Sequence, residues 1–141
     1  MVVKMRWAMT GLAALAVAQT QTAYAGLQDS DVWIGLPDQL SGFLLDEATG
    51  DLWMTGTCLK PLARADQLGS VWMSHTVELV SVGRGMATLD QRFELDLEQG
   101  EITVTSNGRG GAQSFSANID RDCDQGGVCA DLIATQEACQ G

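Results

Sequence analysis

At 141 residues the chain has room for one domain, and its 45 % apolar share suits a folded globule rather than a disordered segment. Its 18 acidic side chains against 8 basic ones leave a net charge of −10, which repels nucleic acid and anionic lipid and argues against both as partners. A single histidine excludes His-rich metal clusters and leaves little from which to build a Ser–His–acid or Cys–His site.

Residues 1–25 have the order of a secretory signal peptide. Lys4 and Arg6 make a positive start, an apolar stretch runs from Trp7 to Ala18, and Ala23-Tyr24-Ala25 places small residues at the −3 and −1 positions of a cleavage site. The apolar stretch is too short to span a bilayer, which needs about twenty residues. No cysteine follows the cut, so a lipid anchor is not indicated. Cleavage removes Lys4 and Arg6 and leaves one domain, residues 26–141, in which 18 acids face six basic groups, a net charge of −12. The periplasm is the expected destination, with secretion as the alternative.

The next elements are strands. Gly42–Leu45 and Leu52–Thr55 flank a turn-rich Asp46–Asp51 segment and predict a hairpin. Leu62–Leu68 is compatible with a short helix. Val71–Val82 is long enough for one bent strand or two short ones. Phe93-Glu94-Leu95-Asp96-Leu97-Glu98 alternates apolar and acidic residues without a break, which places Phe93, Leu95 and Leu97 on a buried face and three carboxylates in water. Ile102–Thr105 repeats the alternation after a Glu98–Glu101 turn, and Ser114–Ile119 reads as a further strand with Phe115, Ala117 and Ile119 on one side. Ala130–Ala138 is the second helix-compatible segment. Trp33, Phe43, Trp53, Trp72, Phe93 and Phe115 are the large candidate core residues.

These patterns predict an all-β fold: an antiparallel β-sandwich (immunoglobulin-like) or small barrel, ending in a short helical or irregular segment. In an oxidising compartment the four cysteines imply two disulfides with three possible connectivities. Cys123 and Cys129 bracket a turn containing Gly126 and Gly127, so they can close locally, which leaves Cys58 for Cys139. A zinc site would want paired Cys-x-x-Cys knuckles, and there are none.

Asp120, Asp122 and Asp124 alternate, with Asp131 at the twelfth position counted from Asp120, the ligand spacing of a calcium loop. Gln125 stands where that loop wants glycine and Asp131 is shorter than the usual bidentate glutamate, so the alternative is an acidic, disulfide-closed surface turn. No other cofactor is indicated. Gly83-Arg84-Gly85 and Gly108-Arg109-Gly110-Gly111 follow strand-like runs, and Arg84 and Arg109 could form a partner-binding edge or simply sit in solvated hairpin turns. Neither fits a phosphate loop, and no Gly-x-Ser-x-Gly elbow is present. The acidic face of Glu94, Asp96 and Glu98 would steer a basic partner.

The strand Thr76–Val82, the turn Gly83-Arg84-Gly85, the run Gln91–Leu95, the Gln99-Gly100-Glu101 turn and the later Ser114–Ile119 occur in an order that resembles the small periplasmic curli-assembly inhibitors of the CsgC/CsgH type, over about Gly69 to Ile119. The resemblance implies an immunoglobulin-like sandwich that keeps an exported amyloid-type subunit soluble, and it carries no catalytic residues. The resulting expectation is a non-catalytic exported binding or assembly-accessory protein, with another exported protein as partner and no membrane insertion once the leader is gone. A calcium-stabilised structural module and a periplasmic enzyme inhibitor are the alternatives.

Overall fold

The computed structural model describes residues 24, 26–38, 41–107 and 111–139. Among these, ten strands form two five-stranded antiparallel sheets. In chain order they are β1 (Asp31–Gly35), β2 (Gly42–Asp46), β3 (Leu52–Thr55), β4 (Lys60–Leu62), β5 (Asp66–Leu68), β6 (Val71–Val82), β7 (Gly85–Asp96), β8 (Glu101–Ser106), β9 (Ala112–Ser116) and β10 (Asn118–Asp120). A 3-10 turn at Cys123–Gln125 and one helix, α1 (Val128–Ala134), complete the described chain.

The first sheet is ordered β10-β1-β2-β3-β4 and the second β5-β6-β7-β8-β9. The expected antiparallel sandwich therefore forms, as two sheets and not a closed barrel. Its connections are those of a meander: within each sheet neighbours in space are neighbours in sequence, except where β10 returns to pair with β1. An immunoglobulin domain interleaves its strands through Greek-key connections, so the likeness to that fold stops at the layers.

The inner layer joins Val32 and Ile34 of β1, Phe43 and Leu45 of β2 and Leu52 of β3 to Trp72 of β6, Phe93 and Leu95 of β7 and Ile102 of β8. Phe43 and Phe93 meet edge-on across the two sheets with ring centroids 5.4 Å apart. The other face of the first sheet is also covered. Trp33, Leu44 and Trp53 pack there against Leu59, Cys123, Cys129 and Ile133. With both faces buried, these strands read as near-continuous apolar runs, Val32-Trp33-Ile34 and Phe43-Leu44-Leu45, and not as an alternation. The second sheet has one wet face, which is why its strands alternate so clearly.

The cysteines pair as the local turn favours, Cys123 with Cys129 and Cys58 with Cys139. The first bridge is buried under the Trp33 face. The second ties the C-terminal segment to the β3–β4 connection, where the Leu59 N–H donates to the Glu137 carbonyl at 2.7 Å and the Cys139 N–H donates to the Leu59 carbonyl at 3.0 Å. Two disulfides point to an oxidising, exported environment. Among the described residues no helix is long and apolar enough to cross a membrane.

Four local expectations need correction. Leu62–Leu68 is not helical: it holds the end of β4, a crossing, and β5. Its apolar spacing is real, since Leu62 and Ala65 are both buried. They serve a chain passing from one sheet to the other, anchored by the Ala65 N–H on the Gly50 carbonyl and by Ser74 Oγ on the Ala63 carbonyl. Seven residues are too few to sustain a helix without tertiary support. Ser114–Ile119 is not one strand, because the chain changes sheets at Ala117, whose N–H is taken by the Gly100 carbonyl. Phe115 is 39 % exposed and belongs to no core cluster. The helix is Val128–Ala134, starting and ending earlier than Ala130–Ala138, because the chain beyond must run beside Leu59. The expected signal peptide, residues 1–25, lies outside the described residues except for Tyr24.

Candidate functional site

β6 and β7 have 12 residues each, and only their lower halves lie on the sandwich. They pair without interruption from Val71↔Asp96 to Val82↔Gly85. β5 covers β6 only as far as Met73, and β8 covers β7 only as far as Gln91. Beyond those points the two strands continue as a projecting arm. The loop at its tip is Gly83-Arg84, with Gly83 at φ +58°, the left-handed geometry that a two-residue hairpin needs and that glycine takes without strain.

Two polar contacts brace the base of this arm, a hydrogen bond on one face and an ion pair on the other. On the outer face His75 Nε2 lies 2.6 Å from Asp90 Oδ1. On the inner face Lys60 Nζ, from the end of the first sheet, lies 2.8 Å from Glu78 Oε1. Asn107, at φ +48°, accepts the Asp90 N–H on its Oδ1 at 2.6 Å and donates its Nδ2 to the Thr88 carbonyl at 3.1 Å. The end of β8 is thereby fastened to the arm where strand pairing stops.

Past the braces the arm is apolar and wet. Val77, Leu79 and Met86 are 55, 68 and 61 % exposed, and all three lie on the outer face by strand alternation. Val82, on the inner face near the tip, is 57 % exposed. Scattered exposed apolar residues need no explanation, but a contiguous set on one projecting element marks a contact surface. An isolated two-stranded ribbon is also marginal by itself, which makes its projection from the body more telling.

The sequence-predicted partner residues do not form one patch. Arg84 is at the exposed tip of the arm. Glu94 is exposed on the outer face, two residues from Arg92 on the same side. Asp96 is not a free surface acid: its Oδ1 accepts from Ser70 Oγ at 3.3 Å, the Glu98 N–H at 3.1 Å and the Gln99 N–H at 3.0 Å, capping the β7–β8 turn. Glu98 is exposed in that turn, and Arg109 lies outside the described residues. A groove of about 610 Å³ opens at the base of the arm, lined by Thr88, Asp90, Arg92, Thr105 and Asn107.

The candidate calcium ligands are spread rather than gathered. Asp120 Oδ1 accepts the Asp122 N–H at 2.8 Å, Asp124 Oδ2 accepts from Gln125 Nε2, and Asp131 sits in the first turn of α1. Among the described residues no three His, Cys, Asp or Glu side chains are placed to hold a metal ion. A different acidic feature emerges at the end of β1, where Asp31 is buried and paired across the strands with Asp46. Burial pushes its pKa up to about 6, with Asp46, Asp124 and Asp51 adding in the same direction, against a backbone N–H from Gln28 that favours the charged form. Tyr24 stacks edge-on against Trp53 at 5.3 Å, and burial raises its pKa as well.

The sequence carries one signal for the projecting apolar arm. Val77-Glu78-Leu79-Val80 and the residues after Gly85 extend the hairpin well past the length of every other strand, and length against neighbours is what separates a projecting ribbon from a core strand. No family model matches the chain, and no curated protein and no solved structure is significantly similar to it.

Proposed function

We propose that the protein is a non-catalytic binding or assembly accessory of the periplasm, and that the outer face of its β6–β7 arm takes hold of another exported polypeptide. The observation that carries this reading is the set of wet apolar side chains Val77, Leu79 and Met86 on an element braced at its base by the Lys60–Glu78 ion pair and the His75–Asp90 hydrogen bond. Binding energy would come from covering these side chains, at about 25 cal/mol for each Å² removed from water. The acidic body, with a net charge of −12 once the leader is removed, favours basic partners by long-range steering. Together with the resemblance to curli-assembly inhibitors, this makes a partly unfolded amyloid-type subunit held soluble during export the natural client.

The test is the growth of amyloid by an exported subunit followed by thioflavin fluorescence, with the protein present below stoichiometry. The intact chain should lengthen the lag. The variant Val77→Ser/Leu79→Ser/Met86→Ser, altered only at exposed positions, should lose that effect while keeping its melting temperature. Neutralising the exposed Glu94 and Glu98, and leaving the turn-capping Asp96 in place, should weaken capture in a salt-dependent way. An unchanged lag with the intact chain would remove the client, and full activity in the serine variant would remove the arm as the surface.

A further inference from the structure

Between Thr76 and Val82 the backbone of strand β6 is hydrogen-bonded on one side only, and the one further contact at its start is the Thr76 hydroxyl, which accepts the Ala63 N–H at 3.2 Å. β5 has ended at Met73, and among the described residues no backbone group of this stretch has a partner other than β7. Natural proteins guard such edges with charge, proline, a bulge or a covering loop. This one reads Thr-Val-Glu-Leu-Val-Ser-Val, with neither proline nor glycine. Its sole charge, Glu78, is already engaged with Lys60 on the inner face. Among the described residues the edge is therefore open and almost neutral on a strongly acidic molecule, the properties of a strand that accepts another strand.

We infer that this edge pairs with the same edge of a second copy, antiparallel, about a two-fold axis through Leu79. The register follows from the sequence of the edge. Leu79 is the midpoint of Thr76–Val82, so a two-fold there pairs all seven residues: Leu79 with Leu79, Val77 with Ser81, Glu78 with Val80 and Thr76 with Val82. A two-fold one residue earlier would set Glu78 against Glu78 and shorten the overlap, and one residue later would also shorten it. Like charges directly opposite are unfavourable, and apolar cross-strand pairs are favourable. An axis perpendicular to the ribbon keeps both outer faces on the same side. Val77, Leu79 and Met86 of the two copies then line one continuous apolar strip on a four-stranded ribbon.

The same geometry answers the objection from charge. Antiparallel overlap leaves the two bodies at opposite ends of the paired segment, about 24 Å apart for seven residues at ~3.4 Å each. That is well beyond the screening length of ~8 Å at physiological ionic strength, so the repulsion between acidic bodies is largely screened. The contact is confined to one strand edge and a few half-exposed side chains. It falls below the roughly 1,200 Å² of a standard interface, and the dimer is accordingly weak and concentration-dependent.

Sedimentation equilibrium of the chain purified with both disulfides formed should show monomer at low concentration and a substantial dimer by roughly 100 μM, as a small interface requires. Leu79→Lys, which opposes two ammonium groups at the axis, should weaken association at least about tenfold without shifting the melting temperature. Cysteines read the register. Leu79→Cys should give a covalent dimer on mild oxidation, because opposite residues stand close enough for a disulfide, whereas Val77→Cys alone should not. The double variant Val77→Cys/Ser81→Cys should cross-link again. A chain still monomeric at about 1 mM, or cross-linking equally efficient at positions 77 and 79, would overturn the pairing. Failure of the dimer leaves the client-binding role of the outer face standing, because the lag assay runs at concentrations where the chain is monomeric.

Discussion

Asp31 is the residue whose surroundings most depart from what its type prefers. Its folded pKa of about 6 lies above the ordinary carboxylate value, so the native state holds its proton more tightly than the unfolded chain does. The stability this contributes is present in full below about pH 4 and is lost as pH rises to about 6, with little change from this group above that. A rise of that size is worth about 3 kcal/mol at most. Asp31→Asn keeps a side-chain oxygen for the Gln28 N–H and removes the buried charge. It should raise the melting temperature by several degrees at pH 8 and flatten the profile between pH 4 and 6, as measured by thermal melts across that range. Gly42 is a second such residue. It faces Gly35 across β1 and β2, the Trp33 indole lies over the pair, and a methyl group on Gly42 would collide with the Ile34 carbonyl oxygen. A Cβ on Gly35 would stand 2.6 Å from Trp33 Nε1, whose ring is itself wedged against the buried disulfide cluster. Gly42→Ala should therefore cost about 3 kcal/mol or more in urea unfolding, the cost of overpacking against a backbone atom that cannot yield.

At the scale of elements, the two disulfides do different work. Cys58–Cys139 closes a separation of 81 residues and Cys123–Cys129 one of 6. Chain entropy alone assigns about 4 kcal/mol to the first and about 2 kcal/mol to the second. Replacing Cys58 and Cys139 by alanine should thus lower unfolding stability more than replacing Cys123 and Cys129, as read from urea midpoints at constant m. Full burial of the second bridge under Trp33 narrows the gap, since its loss also leaves a void there. An equal or reversed order would mean that packing outweighs loop closure. The strands show how far local pattern reaches. Phe93 and Leu95 are buried as their alternation requires, yet Leu97, the next in the series, already lies in the β7–β8 turn. Asp96 left the predicted acidic face because the same turn needed its carboxylate as a cap for three donors. Leu62 and Ala65 are spaced as on a helix and are buried as on a helix, but the backbone between them crosses between sheets.

For the whole molecule, the arrangement is three layers deep: the alternating sheet, the doubly buried sheet, and a cap formed by α1 and the Cys123–Cys129 bridge. The arm is what this body leaves over, a β6–β7 hairpin longer than the neighbours that could cover it. The periodicity of two and the turn residues were enough to establish, from the chain alone, antiparallel strands, most of the core and the favoured disulfide pairing, because each depends on contacts between residues close in sequence or alternating along one strand. Alternation says which side chains share a face and is silent on whether that face meets another sheet or water. Only the tertiary structure decided that β1–β3 are buried on both sides, that the chain changes sheets at Ala117, and that Val77, Leu79 and Met86 stay exposed, since each outcome depends on where distant strands end relative to one another.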